Sequence, residues 1–375
     1  MRILHAVTLI SPDGAYGGPL RVAINQATAL RDLGHEVTVA AAARGFETLP
    51  TSQEGVPLVL RRARTLVPGT GFAGLTAPGL VQWLVRSRNH IDVVHVHFAR
   101  DLVVIPLAAA ARRLGIPFVL QPHGMVLPGT NRLAPAVDFL AGRRLLRAAR
   151  EVYYLTNEER VALEEVGGGG VKLSPLPNGV PLYPEAFESG DDPEVLYLAR
   201  LHPRKRPGDF VKAGLALNAE GVPAKYTMVG PDEGEAAAVT AAAAAADNIV
   251  WEGAIAAGSG PERMRRAAVY VLPSVGPEPY PMAVLEAMSV GLPVVITDEC
   301  GLAPLVRDHH CGLVVAPGAE SIAEALRTLL GDRVAAREMG RRGRAAVREE
   351  LGMSAIGTLL EGRYSAAVSA VGGAR

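Results

Sequence analysis

Apolar positions along the chain alternate between two periods. Short runs rich in β-branched residues are separated by longer stretches with apolar residues at helical spacing. In the first half, residues 3–9, 37–43, 91–98, 117–121 and 152–155 are predicted strands. Residues 19–33 follow the first of them as a helix, with Leu20, Ala23, Ile24, Ala27 and Leu30 on one face and Gly34 as its cap. Residues 106–114 and 131–150 are further predicted helices, and Thr156 with Glu159 forms a capping box for another. The second half restarts the pattern. Strands are predicted at residues 194–199, 226–229, 249–251, 270–272, 294–297 and 313–315, and late helices at 320–330, 335–350 and 354–371. Strand–helix alternation of this kind predicts an α/β protein with two Rossmann-like, doubly wound parallel sheets. Two such domains facing each other would leave an interdomain cleft between their strand carboxyl ends. The domains are expected at residues 1–180 and 194–353. A linker at 181–193 is marked by Pro181, Pro184, Asp191, Asp192 and Pro193, and residues 354–375 form a closing helix. Residues 48–80 break the rhythm. They read as a short strand at 58–61 in a mobile loop that carries Arg61, Arg62 and Arg64.

Composition narrows the function classes. The chain has 375 residues, with 38 basic and 38 acidic side chains. Residues 1–180 hold 19 Lys and Arg against 13 Asp and Glu, so the first half is mildly basic. That permits contact with an anionic acceptor or membrane surface without requiring it. Aromatics are only 5%, and no basic run is interleaved with them, so nothing points to nucleic acid. Cys300 and Cys311 lack zinc-site spacing, and two thiols make no disulfide framework. A reduced, cytoplasmic setting is expected, with peripheral contact at the inner face of the membrane left open. The opening residues do not read as a signal peptide, and no apolar stretch reaches the roughly 18–20 residues of a spanning helix.

Candidate chemistry lies at strand carboxyl ends, where open α/β sheets bind ligands. The stretch from Ser274 to Met288 holds Glu278 in a proline-rich loop and Glu286 in the helix that follows. Pro279 and Pro281 keep Glu278 off that helix. The amides of Met282 and Ala283, at the helix start, can face an anion. The alternative is a loop acid plus a solvated helix carboxylate. Gly17 and Gly18 precede the first helix and let backbone approach a phosphate, although a paired glycine also marks an ordinary turn. His95 and His97 alternate with apolar residues and share one face of a strand. They could hold a metal, but no third ligand is evident nearby, so core or cleft histidines are the simpler reading. His123 ends the predicted strand at 117–121. Arg143, Arg144, Arg147 and Arg150 make a basic helix, read either as a solvated face or as an interfacial helix on anionic lipid. Arg200, Arg204, Lys205 and Arg206 form a basic loop after the first strand of the second half.

Together these motifs resemble glycosyltransferase family 4, whose members have the GT-B fold. The resemblance spans nearly the whole chain. It rests on Pro-Glu-Pro-Tyr-Pro-Met-Ala-Val-Leu-Glu-Ala-Met, which spaces Glu278 and Glu286, and on Arg200 and Lys205 in their basic run. Pro177-Asn178-Gly179-Val180 and the Gly17-Gly18 loop add to it. The family often has glycine where Pro281 stands, so fewer amides are expected to face a phosphate here.

The resemblance implies retaining transfer of a sugar from a nucleotide-diphosphate donor, UDP- or GDP-linked, to an acceptor hydroxyl, with no required metal or other cofactor. By position, Glu278 would hold donor-sugar hydroxyls and Glu286 the ribose. Arg200 and Lys205 would bind the diphosphate, helped by the amides of Gly17, Gly18, Met282 and Ala283. His123 would lie near the transferring centre. Acceptor-side candidates include Arg100 and Asp101, and the closing helix is expected to cross back to the first domain. Surface polysaccharide or glycolipid assembly is the expected setting, with a sugar, lipid-linked or small-molecule acceptor. Natural-product tailoring, a GT-B epimerase or phosphorylase, and a non-catalytic nucleotide-binding scaffold are the alternatives.

Overall fold

A computed structural model describes residues 1–12, 17–128, 137–187, 190, 192–256, 258–276 and 278–372. The chain divides into two compact units. One comprises Met1–Gly179 with Met353–Arg375, and the other Val180–Gly352.

The first unit is built on strands β1 (Arg2–Ile10), β2 (Glu36–Ala43), β3 (Ser52–Gln53), β4 (Val56–Arg62), β5 (Arg64–Thr65), β6 (Leu75–Thr76), β7 (Val93–His97), β8 (Phe118–Gln121), β9 (Val152–Tyr154) and β10 (Leu173–Pro175). Eight of them form a sheet in the order β10-β9-β8-β7-β1-β2-β4-β3. All its pairings are parallel except that of the edge strand β3 with β4. The chain leaves β1 toward β2 and β4, then returns to build β7 to β10 on the other side. The order therefore reverses between β1 and β7, and the crevice past their carboxyl ends is where such sheets bind ligands. Strand β1 shifts register between Val7 and Leu9, and the freed Thr8 hydroxyl donates to Asp101 at 2.7 Å.

Helices cover both faces because the strands are apolar on both sides. The helix Gly17–Asp32 buries Leu20, Ala23, Ile24, Ala27 and Leu30, and Gly34 beyond it takes a φ of 87°. Residues 13–16 of the preceding glycine loop lie outside the described residues. The span 48–80, expected as a loop with one strand, holds β3 to β6 and a 3-10 turn at Gly71–Gly74, and the helix Pro78–Ser87 begins within it. Its few apolar residues per strand hid those pairings from periodicity. The basic helix is shorter than expected. A π-turn at Asp138–Gly142 leads into the helix Arg143–Ala148, and residues 129–136 lie outside the described residues. The helix Met353–Gly372 belongs to this unit and packs Ile356, Leu360 and Tyr364 into the core of β1, β2 and the helix Gly17–Asp32. Gly179 makes room for it, since a Cβ there would come within 2.5 Å of the Met353 sulfur.

The second unit has strands β11 (Glu194–Leu198), β12 (Lys225–Val229), β13 (Ile249–Trp251), β14 (Val269–Leu272), β15 (Val294–Thr297) and β16 (Gly312–Val315). They form one parallel sheet in the order β13-β12-β11-β14-β15-β16. Here the order reverses between β11 and β14. Strands β14 and β15 are buried at every position. Val180, expected to end the first domain, and residues 181–187 of the expected linker are held to this unit. The Val180 amide donates to the Leu351 carbonyl at 2.9 Å, the Tyr183 amide to Ser289 Oγ at 2.9 Å, and the Ala186 amide to the Val290 carbonyl at 2.8 Å. Proline suppresses regular structure there but not packing. Among the described residues no helix is long and apolar enough to cross a membrane.

Candidate active site

In the second unit the two loops at the topological switch point carry the predicted residues. The loop after β11 contains Arg200 and the 3-10 turn Pro203–Lys205. The loop after β14 contains Glu278 and runs into the helix Met282–Ser289. The two loops are joined: the Val275 amide donates to the Arg204 carbonyl at 2.8 Å. Lys205 Nζ donates to Glu278 Oε2, and both side chains are 14% exposed. Sequence alone assigned these residues separate ligand groups. The structure pairs them with each other.

Glu278 is further fixed by its backbone. Its carbonyl accepts from the Gly301 amide at 2.9 Å. A Cβ at Gly301 would lie 2.0 Å from the Pro279 carbonyl oxygen, so only glycine lets the two segments approach. Arg200 is 57% exposed and forms an ion pair with Glu233 at 2.8 Å. Such an exposed pair is weak and leaves the guanidinium able to turn to a ligand. Gly230, with a φ of 149°, shapes the loop beneath it. A Cβ there would meet the Ala199 carbonyl at 2.0 Å.

The helix Met282–Ser289 begins after Pro281 with no side chain capping it. Met282 and Ala283 are half-buried at its first turn, and Glu286 lies one turn on, beside Gly260. Pro281 accepts from the Val284 amide at 3.1 Å. The helix start thus offers the partial positive charge of its early amides next to the Lys205–Glu278 pair's loop. Cys300 and Cys311 are free and buried, and burial pushes the Cys300 thiol up to about 12.

In the first unit, Gly18 is exposed at the start of the helix Gly17–Asp32. His123 lies in the loop after β8 with a φ of 54°, the left-handed region that non-glycine residues rarely occupy. Glu159 holds this loop. Its Oε1 accepts from the Gly124 amide at 2.5 Å and its Oε2 from the Leu155 amide at 2.7 Å. Thr156 Oγ1 accepts from the Glu159 amide at 3.2 Å, as a capping box requires. The carboxylate, however, reaches Leu155 and the loop of His123 rather than the Thr156 amide. Burial raises the Glu159 carboxyl above its usual range.

His123 is not isolated. Its Nε2 shares a hydrogen bond with His97 Nδ1 at 2.8 Å, and His97 Nε2 with His5 Nδ1 at 3.0 Å. His95 stacks on His97 and bonds the Tyr364 hydroxyl through Nδ1. The third histidine that sequence did not find beside His95 and His97 is His5, paired opposite His95 in the β1–β7 register. Ring nitrogens of the three lie within 4.8 Å of one another. His97 already uses both ring nitrogens in hydrogen bonds, so metal ligation would cost it one of them. Desolvation keeps all four rings neutral. It pushes His5 and His123 down to about 3, and His95 and His97 well below the usual range. His5 would have been legible only to a reading that knew β1 neighbours β7.

Arg100 and Asp101, expected on the acceptor side, have partners within the first unit. Asp101 is buried, accepts from Thr8 and caps the Val103 and Val104 amides at 2.7 and 2.8 Å. Arg100 pairs with Asp138 at 2.8 Å and donates to the Leu127 carbonyl. In the basic helix, Arg143 donates to the Val166 carbonyl, and Arg147 to the Gly167 and Gly168 carbonyls. These two side chains cap the helix Asn157–Gly167 at its negative end.

Comparisons with known proteins agree with this fold. The family model described as Glycosyltransferase Family 4 matches residues 16–183, and that described as Glycosyl transferases group 1 matches residues 183–346. D-inositol 3-phosphate glycosyltransferase of Nocardia farcinica is 28% identical, over 99% of this chain and 90% of its own. An Escherichia coli UDP-Gal:alpha-D-GlcNAc-diphosphoundecaprenol alpha-1,3-galactosyltransferase is 26% identical, over 66% of this chain and 68% of its own. Among solved structures, HepE of Anabaena in complex with UDP and glucose superimposes with a TM-score of 0.76 at 19% identity, covering 97% of this chain and 99% of that one. With the two matches spanning most of its length and both sheets in the doubly wound order, the chain belongs to glycosyltransferase family 4 and has the GT-B fold.

Proposed function

We propose that this glycosyltransferase moves a sugar from a nucleoside-diphosphate donor, UDP- or GDP-linked, to an acceptor hydroxyl with retention of configuration, in surface-polysaccharide or glycolipid assembly. The observation that carries the reading is the Lys205–Glu278 pair at the switch point of the second sheet, beside an uncapped helix start. Breaking the donor's glycosidic bond leaves a nucleoside diphosphate, so negative charge grows on a β-phosphate oxygen. Lys205, Arg200 and the amides of Met282 and Ala283 are the groups suited to that charge, with Gly17 and Gly18 amides assisting. Glu278 accepts from donor-sugar hydroxyls while it keeps Lys205 oriented. Glu286 accepts from the ribose, and His123 serves the transferring centre. The departing phosphate takes the acceptor's proton, so no side-chain nucleophile is assigned. No metal is required in this scheme, because fixed cations do its electrostatic work.

The relatives support the donor and acceptor classes. The E. coli protein is named for a UDP-sugar donor and a lipid-diphosphate-linked acceptor, and HepE was solved with UDP and glucose. The mildly basic first half suits an anionic or lipid-linked acceptor at a membrane surface. Incubation with a panel of nucleotide sugars and acceptors, followed by mass spectrometry and anomeric NMR of products, tests the reading. Nucleoside diphosphate release with an α-linked product from an α-linked donor supports it. Epimerised free sugar, or no donor binding at all, overturns it. Sedimentation with anionic vesicles at low salt tests the membrane contact separately.

A further inference from the structure

The segment after β13 holds Gly253, Gly258 and Gly260, and they are not alike. Gly253 and Gly258 have φ of 81° and 86°, the left-handed region where glycine is the ordinary choice. Gly260 lies outside that region. It opens the short helix Gly260–Met264, where alanine is preferred to glycine. Its backbone therefore gives no reason for a missing side chain. The reason lies in what stands beside it. A Cβ on Gly260 would come within 3.3 Å of Glu286 Oε2, and within 4.0 Å of the two Leu198 methyl carbons. An alanine would press on the carboxylate and only touch Leu198.

These residues come from three elements of the second unit. Leu198 ends β11, half-buried, and its carbonyl accepts from the Tyr270 hydroxyl at 3.1 Å. Glu286 is half-buried on the helix Met282–Ser289. β11 borders the point where the sheet order reverses. The result is a carboxylate with a bare Cα against one oxygen and methyl groups close by. A carboxylate only accepts, through two oxygens, and the cis-diol of a five-membered ring presents two donors on one edge. We propose that Gly260 is a specificity-determining residue: its bare Cα keeps the space beside Glu286 open, so that the donor's ribose lies against the glycine with both hydroxyls on that carboxylate. The proposal rests on the ribose role given to Glu286 above and adds the wall that makes the role possible. Lys205, Arg200 and the amides of Met282 and Ala283, assigned to the diphosphate, are not among the atoms that a Cβ at Gly260 would meet. A side chain there should therefore hinder the nucleoside and spare the phosphates.

The test is isothermal titration of the full chain with UDP and GDP, their 2′-deoxy counterparts and inorganic pyrophosphate. Gly260→Ala should weaken binding of the preferred nucleotide about 10- to 100-fold, as one extra methyl group in a fitted pocket does. Pyrophosphate binding should not change. The unsubstituted protein should prefer the ribonucleotide to its 2′-deoxy form, and the preference should shrink in Gly260→Ala, because a displaced carboxylate no longer reads the hydroxyl. The melting temperature should hold, since alanine suits the helix at least as well as glycine. Equal nucleotide affinity in the two proteins overturns the proposal. So does joint loss of nucleotide and pyrophosphate binding, which marks a damaged fold and not a filled space. Should Gly260→Ala fail to fold, the unsubstituted protein still decides: equal binding of the ribo- and 2′-deoxynucleotide overturns the proposal. If neither UDP nor GDP binds the unsubstituted protein, the donor reading falls and this proposal with it. If the nucleotide binds as described but no sugar is transferred, the proposed function falls and the role of Gly260 stands.

Discussion

Lys205 and Glu278 neutralise each other across two loops that follow different strands, with little access to water. Each loop therefore holds the other in place before any donor arrives. Taking away one partner of such a pair leaves a charge buried without compensation, which typically costs about 3–5 kcal/mol, less here for the residual exposure. Lys205→Met should lower the melting temperature and abolish turnover. The double variant Lys205→Met with Glu278→Gln should recover most of the melting temperature and none of the turnover. Differential scanning calorimetry alongside a nucleoside-diphosphate release assay separates the two effects.

Glu286 and Glu278 are assigned different ends of the donor. Glu286→Ala should weaken nucleoside-diphosphate binding about tenfold, as expected from one lost charge-assisted hydrogen bond. Glu278→Gln should leave nucleotide affinity nearly intact and cut turnover or change sugar choice. Isothermal titration with UDP and GDP, paired with steady-state kinetics, reads both, and the reverse pattern would reverse the roles.

The buried histidines make the first unit sensitive to acid. His5 and His123 titrate near 3 in the folded chain, and His95 and His97 well below the usual 6.5. The unfolded chain binds these protons first as pH falls, so their contribution to stability is full above about 6.5 and is lost progressively toward 3. Asp101 acts in the opposite sense. Burial raises its carboxyl to about 6, so the folded form takes up that proton first and gains stability as pH falls from there. Glu159, also raised by burial, acts in the same sense as Asp101, and four rings outweigh two carboxyls. Urea midpoints should therefore drop between pH 7 and pH 5, and the drop should shrink in a His5→Phe, His95→Phe variant.

Glu159 ties the helix Asn157–Gly167 to the loop of His123. Glu159→Ala should cost about 2–4 kcal/mol, for two lost bonds to a carboxylate and two amides left unpaired. It should also release the left-handed backbone at His123. Chemical denaturation measures the first effect, and the amide shifts of His123 and Gly124 report the second.

Much of this was legible in the sequence. The period-switching pattern identified both parallel sheets, because strands such as β14 and β15 are apolar on both faces and their helices are long. Glu278, Lys205 and the helix at Met282 were found because they sit at strand carboxyl ends within dense local motifs. Sequence missed what depends on strand order. His5 belongs with His95 only once β1 lies beside β7. Glu159 looked like half of a local box, yet its carboxylate spans to Gly124, 35 positions away. Asp101 and Arg100 looked available because their burial arises from Thr8 and Asp138, distant in the chain.

The first unit is discontinuous, since its core takes in Ile356, Leu360 and Tyr364 from the helix Met353–Gly372. During synthesis the whole second unit leaves the ribosome before that helix does. Val180–Gly352 is thus the segment free to fold first, while β1, β2 and the histidine chain wait for their last wall. Arrival of that helix is then the event that seals His95 under Tyr364. A chain truncated before residue 353 would pair a settled second unit with an unsealed, aggregation-prone first unit.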